Sequence, residues 1–222
     1  LEEYAQYFEL PVVLKSFVTG ARKEGEGFVV TAGAKTHRAH SLVLAVGAFQ
    51  KPLIPHIPTD NSIPTLHTSV YQNPSSVLGK RVLIVGAGNS GAQIAEELMG
   101  AGRGVTVLAR TEPRCLPLEV WGRNFLWWQE LFGRLHARVR GPKKNPLIGC
   151  SFLERVREGK IQLLLGEIDE ISEGKVILAN GAREFFDEIV WATGFERDVS
   201  WVNEMAEGVF VIGEERGVRN SS

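Results

Sequence analysis

A glycine-rich turn between an apolar strand and an amphipathic helix most limits how this chain of 222 residues can fold. Arg81–Val85 is an apolar, β-branched run that leads into GAGNSG at residues 86–91, which fits the pattern G-x-G-x-x-G. The apolar residues Ile94, Ala95, Leu98 and Met99 then recur at helical spacing, and a second apolar run follows at Val105–Ala109. The stretch therefore predicts a βαβ unit of about the length that binds dinucleotides.

Each residue of the turn has its own predicted task. Gly86 permits the tight turn, Gly88 lets the backbone approach a pyrophosphate, and Gly91 lets the helix pack closely on the sheet. The first amides of the helix face the anion, and Asn89 and Ser90 add side-chain donors there. A glycine-rich turn of an ordinary parallel α/β protein is the alternative, which the flanking strands and helix disfavour.

The residue that follows the second strand indicates which dinucleotide is bound. An acidic residue there would bind the ribose 2′-hydroxyl of NADH, whereas this chain has Arg110, followed by Thr111 and then Arg114. A guanidinium suits a 2′-phosphate through its charge and its forked geometry. We therefore predict NADPH over NADH, with an ordinary solvated arginine at a strand end as the alternative for Arg110.

Composition and charge limit the kinds of ligand, location and metal site that we expect for this chain. The net charge of −1 gives no case for binding nucleic acid or an anionic membrane. No apolar run approaches the ~18 residues of a membrane span, and the N-terminus is unlike a signal peptide, so we expect a cytoplasmic location. Cys115 and Cys150 belong to no C-x-x-C pair and the five histidines show no metal-ligand spacing, which predicts two free thiols and no metal site.

The rest of the chain reads as short elements separated by turns. Before the βαβ unit we predict a helix at residues 1–8, a meander with strands Val12–Thr19, Gly27–Ala32 and Lys35–Ala39, a buried strand Ser41–Gly47, a proline-stiffened linker to Pro58 and a loop at Asn61–Pro74. After it we predict an aromatic helix within Glu112–His136, a basic loop Arg134–Lys144, strands Ile161–Leu165, Glu167–Ile171, Lys175–Leu178, Arg183–Phe186, Glu188–Ala192 and Gly208–Gly213, and a hairpin turn at Asn180-Gly181. The aromatic helix is interpreted either as core packing or as a cap over the nicotinamide or substrate.

Four stretches, taken in order, resemble the flavin-containing monooxygenases and their relatives, including the plant auxin-synthesis and Baeyer–Villiger enzymes. They are LVLAVGAFQKPLIPHIP, HTSVY, GKRVLIVGAGNSGAQIAEEL and FDEIVWATGFERD. The resemblance implies an α/β, Rossmann-like three-layer FAD/NAD(P)-binding fold with an added antiparallel meander. Part of the FAD domain is expected to be lacking, since nothing before residue 80 fits a second G-x-G-x-x-G.

The resemblance also implies a division of the chain into domains. Residues 1–58 would be a partial FAD-domain segment with the meander and a linker strand, residues 59–190 the NADPH-binding domain, and residues 191–222 the return to the FAD-domain segment. By the same resemblance, the pyrophosphate would contact Gly86, Gly88, Asn89, Ser90 and Gly91, the 2′-phosphate would contact Arg110 and Thr111, and Ala192, Thr193 and Gly194 would lie near the junction of the nucleotide domains. His67 and Tyr71 are expected to make local structural contacts, and no catalytic side chain is assigned.

The function implied by the resemblance is that of a flavin-dependent monooxygenase-like oxidoreductase. NADPH would reduce FAD, and O₂ would be activated to oxygenate a small substrate that contains nitrogen, sulfur or a carbonyl group. An NAD(P)H:flavin oxidoreductase without oxygenation and a non-catalytic NADP(H)-binding module are the alternatives. The expected partners are the small substrate and O₂, without nucleic acid or membrane, and a homodimer is left open.

Overall fold

The computed structural model describes residues 1–120, 122–124, 127 and 146–196. Two compact units are present, one containing Leu1–Lys51 and the other running over Pro52–Phe195. The predicted basic loop Arg134–Lys144, the predicted strand Gly208–Gly213 and most of the predicted aromatic helix lie outside the described residues.

The elements are short, and most are strands. The described helices are α1 (Glu2–Tyr7), α2 (Asn89–Gly100) and α3 (Ser151–Arg157), with a 3₁₀ turn at Pro74–Ser76. The strands are β1 (Val18–Glu24), β2 (Gly27–Ala32), β3 (Lys35–Ala39), β4 (Lys51–Pro52), β5 (Thr65–His67), β6 (Arg81–Val85), β7 (Gly104–Ala109), β8 (Cys115–Leu116), β9 (Glu119–Val120), β10 (Arg123–Asn124), β11 (Leu147–Ile148), β12 (Ile161–Leu165), β13 (Ile168–Ser172), β14 (Lys175–Leu178), β15 (Arg183–Phe185), β16 (Glu188–Trp191) and β17 (Phe195–Glu196). Within the part of the chain that the structure describes, none of the helices has the length and apolar character required to cross a membrane.

The N-terminal unit contains the antiparallel meander β1-β2-β3. β2 and β3 have the predicted bounds, and the short helix α1 is also confirmed. The predicted strand Val12–Thr19 is wrong, because a turn with Lys15 at a φ of 55° intervenes and the strand begins only at Val18.

The predicted buried strand Ser41–Gly47 is also wrong. The segment has no regular secondary structure, and Val43 is 84% exposed. Leu42 and Leu44 pack near Ala21 on the meander. An extended apolar run becomes a strand only where a neighbour accepts its backbone hydrogen bonds, and no strand among the described residues pairs with this one.

The Pro52–Phe195 unit is built on a five-stranded parallel sheet in the order β12-β7-β6-β16-β5. From β6 the chain moves outward to β7 and β12, and it then returns to β16 on the other side of β6. The point at which the strand order reverses, between β6 and β16, is called a topological switch point. Ligands of open α/β sheets bind in the crevice outside the carboxyl ends of the strands at such a point. β5 lies inside the predicted loop Asn61–Pro74, because three residues are too few to show a strand period.

Alternate residues of the parallel strands pack against two different layers. Val82 and Ile84 of β6 belong to a core with Leu98 of α2 and Phe152 of α3. The residue between them, Leu83, belongs to a second core. This second core includes residues of the antiparallel sheet β13-β14-β15, in which the predicted turn Asn180-Gly181 joins β14 to β15. Helices, parallel sheet and antiparallel sheet thus form three layers, which confirms the predicted Rossmann-like α/β class.

Residues 112–120 and 122–124, in the segment after β7, are not helical, whereas Trp127 is in a helical conformation. The prediction placed an aromatic helix within Glu112–His136, whereas β9 pairs with β10 in an antiparallel turn and β8 pairs in parallel with β11. Pro113 and Pro117 explain the difference, since proline has no backbone N–H to donate within a helix.

Cys115 and Cys150 form a disulfide, so the predicted pair of free thiols is wrong. Their Cα atoms are 5.3 Å apart although the residues are 35 positions apart in sequence. The parallel β8–β11 ladder places Cys115 beside Leu147, three residues before Cys150. Because the two cysteines meet only through this ladder, the pairing has no local sequence signal.

Two consecutive carboxylates, just before and at the start of β16, bind the backbone N–H groups of the residues that lead into β6. Oδ2 of Asp187 accepts hydrogen bonds from the backbone N–H groups of Lys80 and Arg81, at 3.1 and 2.7 Å. Oε2 of the buried Glu188 accepts hydrogen bonds from the N–H groups of residues 78–79, at 2.8 and 2.9 Å. The carboxylate of Asp187 therefore has a structural task, and its pKa is held below the usual value by these backbone donors and by the guanidinium of Arg81.

Candidate functional site

An open cleft of about 900 Å³ lies at the carboxyl edge of the parallel sheet, wholly within the Pro52–Phe195 unit. The loops after β6, β7, β12 and β16 contribute to it, together with the segment after β4. The lining residues are 53, 55–57, 85–88, 108–114, 146–147, 166–168 and 192–193. The cleft therefore lies where the topology predicts a ligand.

The three glycines of the turn have different surroundings. A Cβ on Gly86, whose φ is 113°, would collide with the backbone of Ala192, and a Cβ on Gly91 would collide with the backbone of Gly86. A Cβ on Gly88 would meet no atom within 4 Å. Gly86 and Gly91 are thus required by packing, while the open position at Gly88 is available to a ligand.

Helix α2 begins next to this open position. Gly88 is its N-cap residue, and its carbonyl accepts the first helical hydrogen bond, from Ala92 at 2.9 Å. No side chain caps this end, and the first turn carries no acidic residue. The amides of this first turn and the positive end of the helix dipole therefore favour an anion at this end.

The side chain of Asn89 has a structural partner. Its Oδ1 atom accepts a 2.8 Å hydrogen bond from the backbone N–H of Ile148 in β11. Asn89 is not among the cleft-lining residues, and neither are Ser90, which is exposed, and Gly91, which is buried. The side-chain oxygen of Asn89 thus holds α2 to the short β8–β11 ladder.

The far side of the cleft is charged. Arg110, directly after β7, pairs through Nε with Oε1 of Glu167 after β12, at 2.9 Å. The two side chains are 74% and 63% exposed. Glu112 and Arg114 also line the cleft, as does Thr111. Two arginines and two glutamates therefore give this side no net formal charge.

The opposite side is formed by the loop after β16. Ala192 and Thr193 line the cleft, whereas Gly194 does not. The hydroxyl of Thr193 donates to the carbonyl of Leu53, and the N–H of Leu53 donates to the carbonyl of Gly194 at 3.0 Å. This exchange fixes the proline-rich segment to the end of β16, and the segment becomes a wall of the cleft.

His67 and Tyr71 make the structural contacts expected of them. Nδ1 of the buried His67 accepts the N–H of Ser69 at 3.0 Å, and Nε2 lies 3.0 Å from the carbonyl of Gly194. The Tyr71 hydroxyl donates to Glu97 at 2.9 Å, and burial together with this carboxylate raises the pKa of Tyr71. These contacts fix β5 and α2 beside the cleft.

Six of the ten predicted cofactor residues line one cleft: Gly86, Gly88, Arg110, Thr111, Ala192 and Thr193. The prediction missed the wall formed by residues 55–57 and the contribution of Glu167. The three prolines of the linker could have predicted the wall at residues 55–57, because a stiff segment can form one side of a cleft. No pattern in the sequence around Glu167 indicates that it lies in the cleft. Among the described residues, no group of three or more His, Cys, Asp or Glu is arranged to hold a metal ion.

Residues 1–116 match the family model described as pyridine nucleotide-disulphide oxidoreductase. The chain belongs to this family. A CzcO-like oxidoreductase of Geobacillus kaustophilus, itself uncharacterized, is 36% identical over 217 residues, covering 91% of this chain and 60% of that protein. Rice indole-3-pyruvate monooxygenase YUCCA1 is 26% identical over 211 residues, covering 79% of this chain and 52% of its own.

The likeness extends to a solved structure. The flavin-containing monooxygenase from Stenotrophomonas maltophilia superposes with a TM-score of 0.71 at 25% identity, covering 90% of this chain and 56% of the monooxygenase chain. The predicted resemblance to the flavin-containing monooxygenases is therefore confirmed. The chain spans about 60% or less of the length of each of these relatives.

Proposed function

We propose that the cleft binds NADPH and that the protein is a flavin-dependent monooxygenase-like oxidoreductase. The observation that carries the proposal is the contrast among the three glycines. Added Cβ atoms at Gly86 and Gly91 would strike backbone, whereas one at Gly88 would meet only open space on the cleft at the beginning of α2. Neither packing nor a positive φ requires glycine at position 88, and the close approach of a ligand to the backbone would account for it.

The residues along the sheet edge suit the successive parts of the coenzyme. The first-turn amides after Gly88 would hold the pyrophosphate, with Gly86 and Gly91 shaping the turn. Arg110 and Thr111, next to the end of β7, would hold the 2′-phosphate. Ala192, Thr193 and Gly194, at the end of β16, would lie toward the nicotinamide and the flavin. Asn89 and Ser90 would contribute through their backbone amides.

The contribution of this chain to the chemistry would be binding and orientation. When bound, NADPH supplies a hydride, and FAD transfers the electrons to O₂. Apolar side chains such as Ile57, Leu108 and Leu147 line the cleft and would exclude water from the bound coenzyme. The names of the relatives support the flavin and the oxygenation, and the small substrate containing nitrogen, sulfur or a carbonyl group belongs to the same proposal.

Titration of the purified chain with NADP⁺ in a calorimeter tests the coenzyme site. We expect one saturable site, weaker binding of NAD⁺, and an Arg110→Ala variant that loses about 1.5–3 kcal/mol of binding free energy for NADP⁺ and little for NAD⁺. Folded protein that binds neither coenzyme would overturn the assignment. Equal losses for both coenzymes would refute the role of Arg110.

Flavin binding and oxygen uptake test the reaction. We expect bound FAD to absorb visible light and NADPH-dependent oxygen consumption to rise with a small amine, thioether or ketone. Flavin reduction without a substrate-dependent oxygenated product would identify a reductase instead. NADP⁺ binding without any flavin binding would identify a coenzyme-binding module.

A further inference from the structure

The ion pair between Arg110 and Glu167 lies where the 2′-phosphate of the coenzyme would bind. β7 and β12 are parallel neighbours, with Ala109 beside Leu165, so the residues that follow them meet at one edge. The N–H of Gly166 donates to the carbonyl of Ala109 at 2.9 Å, which continues this pairing by one residue. Glu167 then turns its carboxylate to Nε of Arg110 at 2.9 Å.

The position of Glu167 is fixed by its backbone. The N–H of Ala179 donates to the carbonyl of Glu167 at 2.9 Å, and Gly166 before it has a φ of 153°, which favours glycine. The carboxylate is 63% exposed, so it is free to leave the arginine without disturbing the core. Glu167 is therefore held at the cleft by the backbone and can exchange partners with its side chain.

A 2′-phosphate that approaches Arg110 meets this carboxylate. The phosphate and the carboxylate carry charges of the same sign and would share one guanidinium, so the carboxylate opposes the phosphate. NADH has a ribose 2′-hydroxyl at the same place, and a carboxylate accepts a hydrogen bond from it. Glu167 thus acts in opposite directions on the two coenzymes.

We propose that Glu167 sets the coenzyme preference of the cleft by competing with the 2′-phosphate of NADPH for Arg110. The proposal rests on the proposed coenzyme site and adds a specificity-determining residue to it. Glu167 lowers the affinity for NADP⁺ without excluding it, and it keeps NAD⁺ as a usable ligand.

The test measures dissociation constants of NADP⁺ and NAD⁺ for the full chain and its Glu167→Gln variant at low ionic strength. We expect Glu167→Gln to bind NADP⁺ about fivefold more tightly and NAD⁺ equally or up to about threefold more weakly, since glutamine lacks the charge. The gain for NADP⁺ should shrink as salt screens the repulsion.

Two further variants separate competition at Arg110 from a general charge effect. Glu158→Gln removes a carboxylate from another exposed ion pair, with Arg155, outside the cleft lining, so it should leave both affinities unchanged. In an Arg110→Gln background, the effect of Glu167→Gln on NADP⁺ should be smaller than in the wild type, because the competition for the guanidinium is gone and only the direct repulsion between the two anions remains.

The outcomes separate this proposal from the one on which it rests. An unchanged or lower affinity of Glu167→Gln for NADP⁺, an equal gain with Glu158→Gln, or an undiminished gain without Arg110 would each overturn the role of Glu167 while leaving a coenzyme site. Folded wild-type protein that binds neither NADP⁺ nor NAD⁺ would overturn the coenzyme site itself.

Discussion

The side-chain oxygen of Asn89 accepts a 2.8 Å hydrogen bond from the backbone N–H of Ile148. The first residue of α2 is thereby joined to β11, next to the disulfide that links Cys115 to Cys150. This end of the helix is also the proposed phosphate site. Asn89 thus stabilises the frame of the site through its side chain and is available to the ligand through its backbone.

Two substitutions separate these tasks of Asn89. Asn89→Ala removes the acceptor for Ile148, so we expect a loss of about 0.5–1.5 kcal/mol in the free energy of unfolding. Asn89→Asp keeps an acceptor oxygen but adds negative charge at the phosphate site, so stability should be retained while the affinity for NADP⁺ falls. Urea denaturation and coenzyme titration of both variants measure this, and an Asp variant with unchanged affinity would contradict it.

Substitution of the glycines separates the residues that the fold requires from the residue that the ligand requires. Gly88→Ala should change the free energy of unfolding by about 1 kcal/mol or less, since its φ is −82° and the added Cβ meets nothing, although alanine is a poorer N-cap than glycine. It should weaken NADP⁺ binding by at least about tenfold, because the Cβ occupies space that the pyrophosphate needs.

Gly91→Ala is the matched control for Gly88→Ala. Its Cβ would collide with the backbone of Gly86, so we expect a loss of about 1–3 kcal/mol in the free energy of unfolding. Thermal or urea denaturation measures stability, and calorimetry measures affinity. Similar stability losses at both glycines would show that Gly88 is also required by packing.

The disulfide between Cys115 and Cys150 should stabilise the unit that contains it. It closes a loop between residues 35 positions apart, so its removal in a double Cys→Ser variant should lower the free energy of unfolding by about 2–4 kcal/mol. Urea denaturation with and without a reducing agent measures the effect. The double variant is the control, since a reductant should not move its midpoint, and two free thiols in the unreduced, unfolded protein would contradict the pairing.

The carboxylate of Asp187 predicts a pH dependence of stability. Its folded-state pKa lies below the usual value of 3.8, because backbone donors at Arg81 and Lys80 and the charge of Arg81 favour the ionised form. The unfolded chain therefore binds more protons between the two pKa values, and the contribution is fully present above pH 3.8 and is lost as pH falls through the folded pKa.

Urea midpoints between pH 7 and pH 2.5 test this contribution. Asp187→Asn should be less stable than the wild type at neutral pH, and the difference should disappear at the acidic end. Asp169→Asn, on the exposed side of β13, provides the control and should follow the wild-type curve throughout. A difference between Asp187→Asn and the wild type that stays constant with pH would contradict the charge argument.

Local patterns were sufficient to predict the central part of this fold. The strand, glycines and helix at residues 81–100 specify their own conformation, because the glycines permit a turn that other residues resist. Strand β7 and the strands around Asn180-Gly181 followed from their apolar runs and turn residues. Ser41–Gly47 failed for the opposite reason: an apolar run is buried only when another part of the chain covers it.

The candidate site was predictable where one loop builds it and unpredictable where distant segments meet. Gly88 and Arg110 follow their strands directly, so the βαβ pattern placed them. Glu167 reaches the same cleft only because β12 lies beside β7, and Cys150 reaches Cys115 only because β11 pairs with β8. Neither of these strand pairings can be predicted from the sequence around the residues that it brings together.

The position of β16 between β6 and β5 has a consequence for synthesis of the protein on the ribosome. The nascent chain can assemble β6, α2 and β7 as they emerge. The N–H groups just before and at the start of β6, however, gain their acceptors only when Asp187 and Glu188 have been synthesised, 106–110 residues downstream. β5 leaves the ribosome earlier still and gains its neighbour only when Glu188–Trp191 arrives. The sheet is thus completed only after residues 188–191 have been synthesised, and a chain released before residue 188 would present the edges of both strands to chaperones.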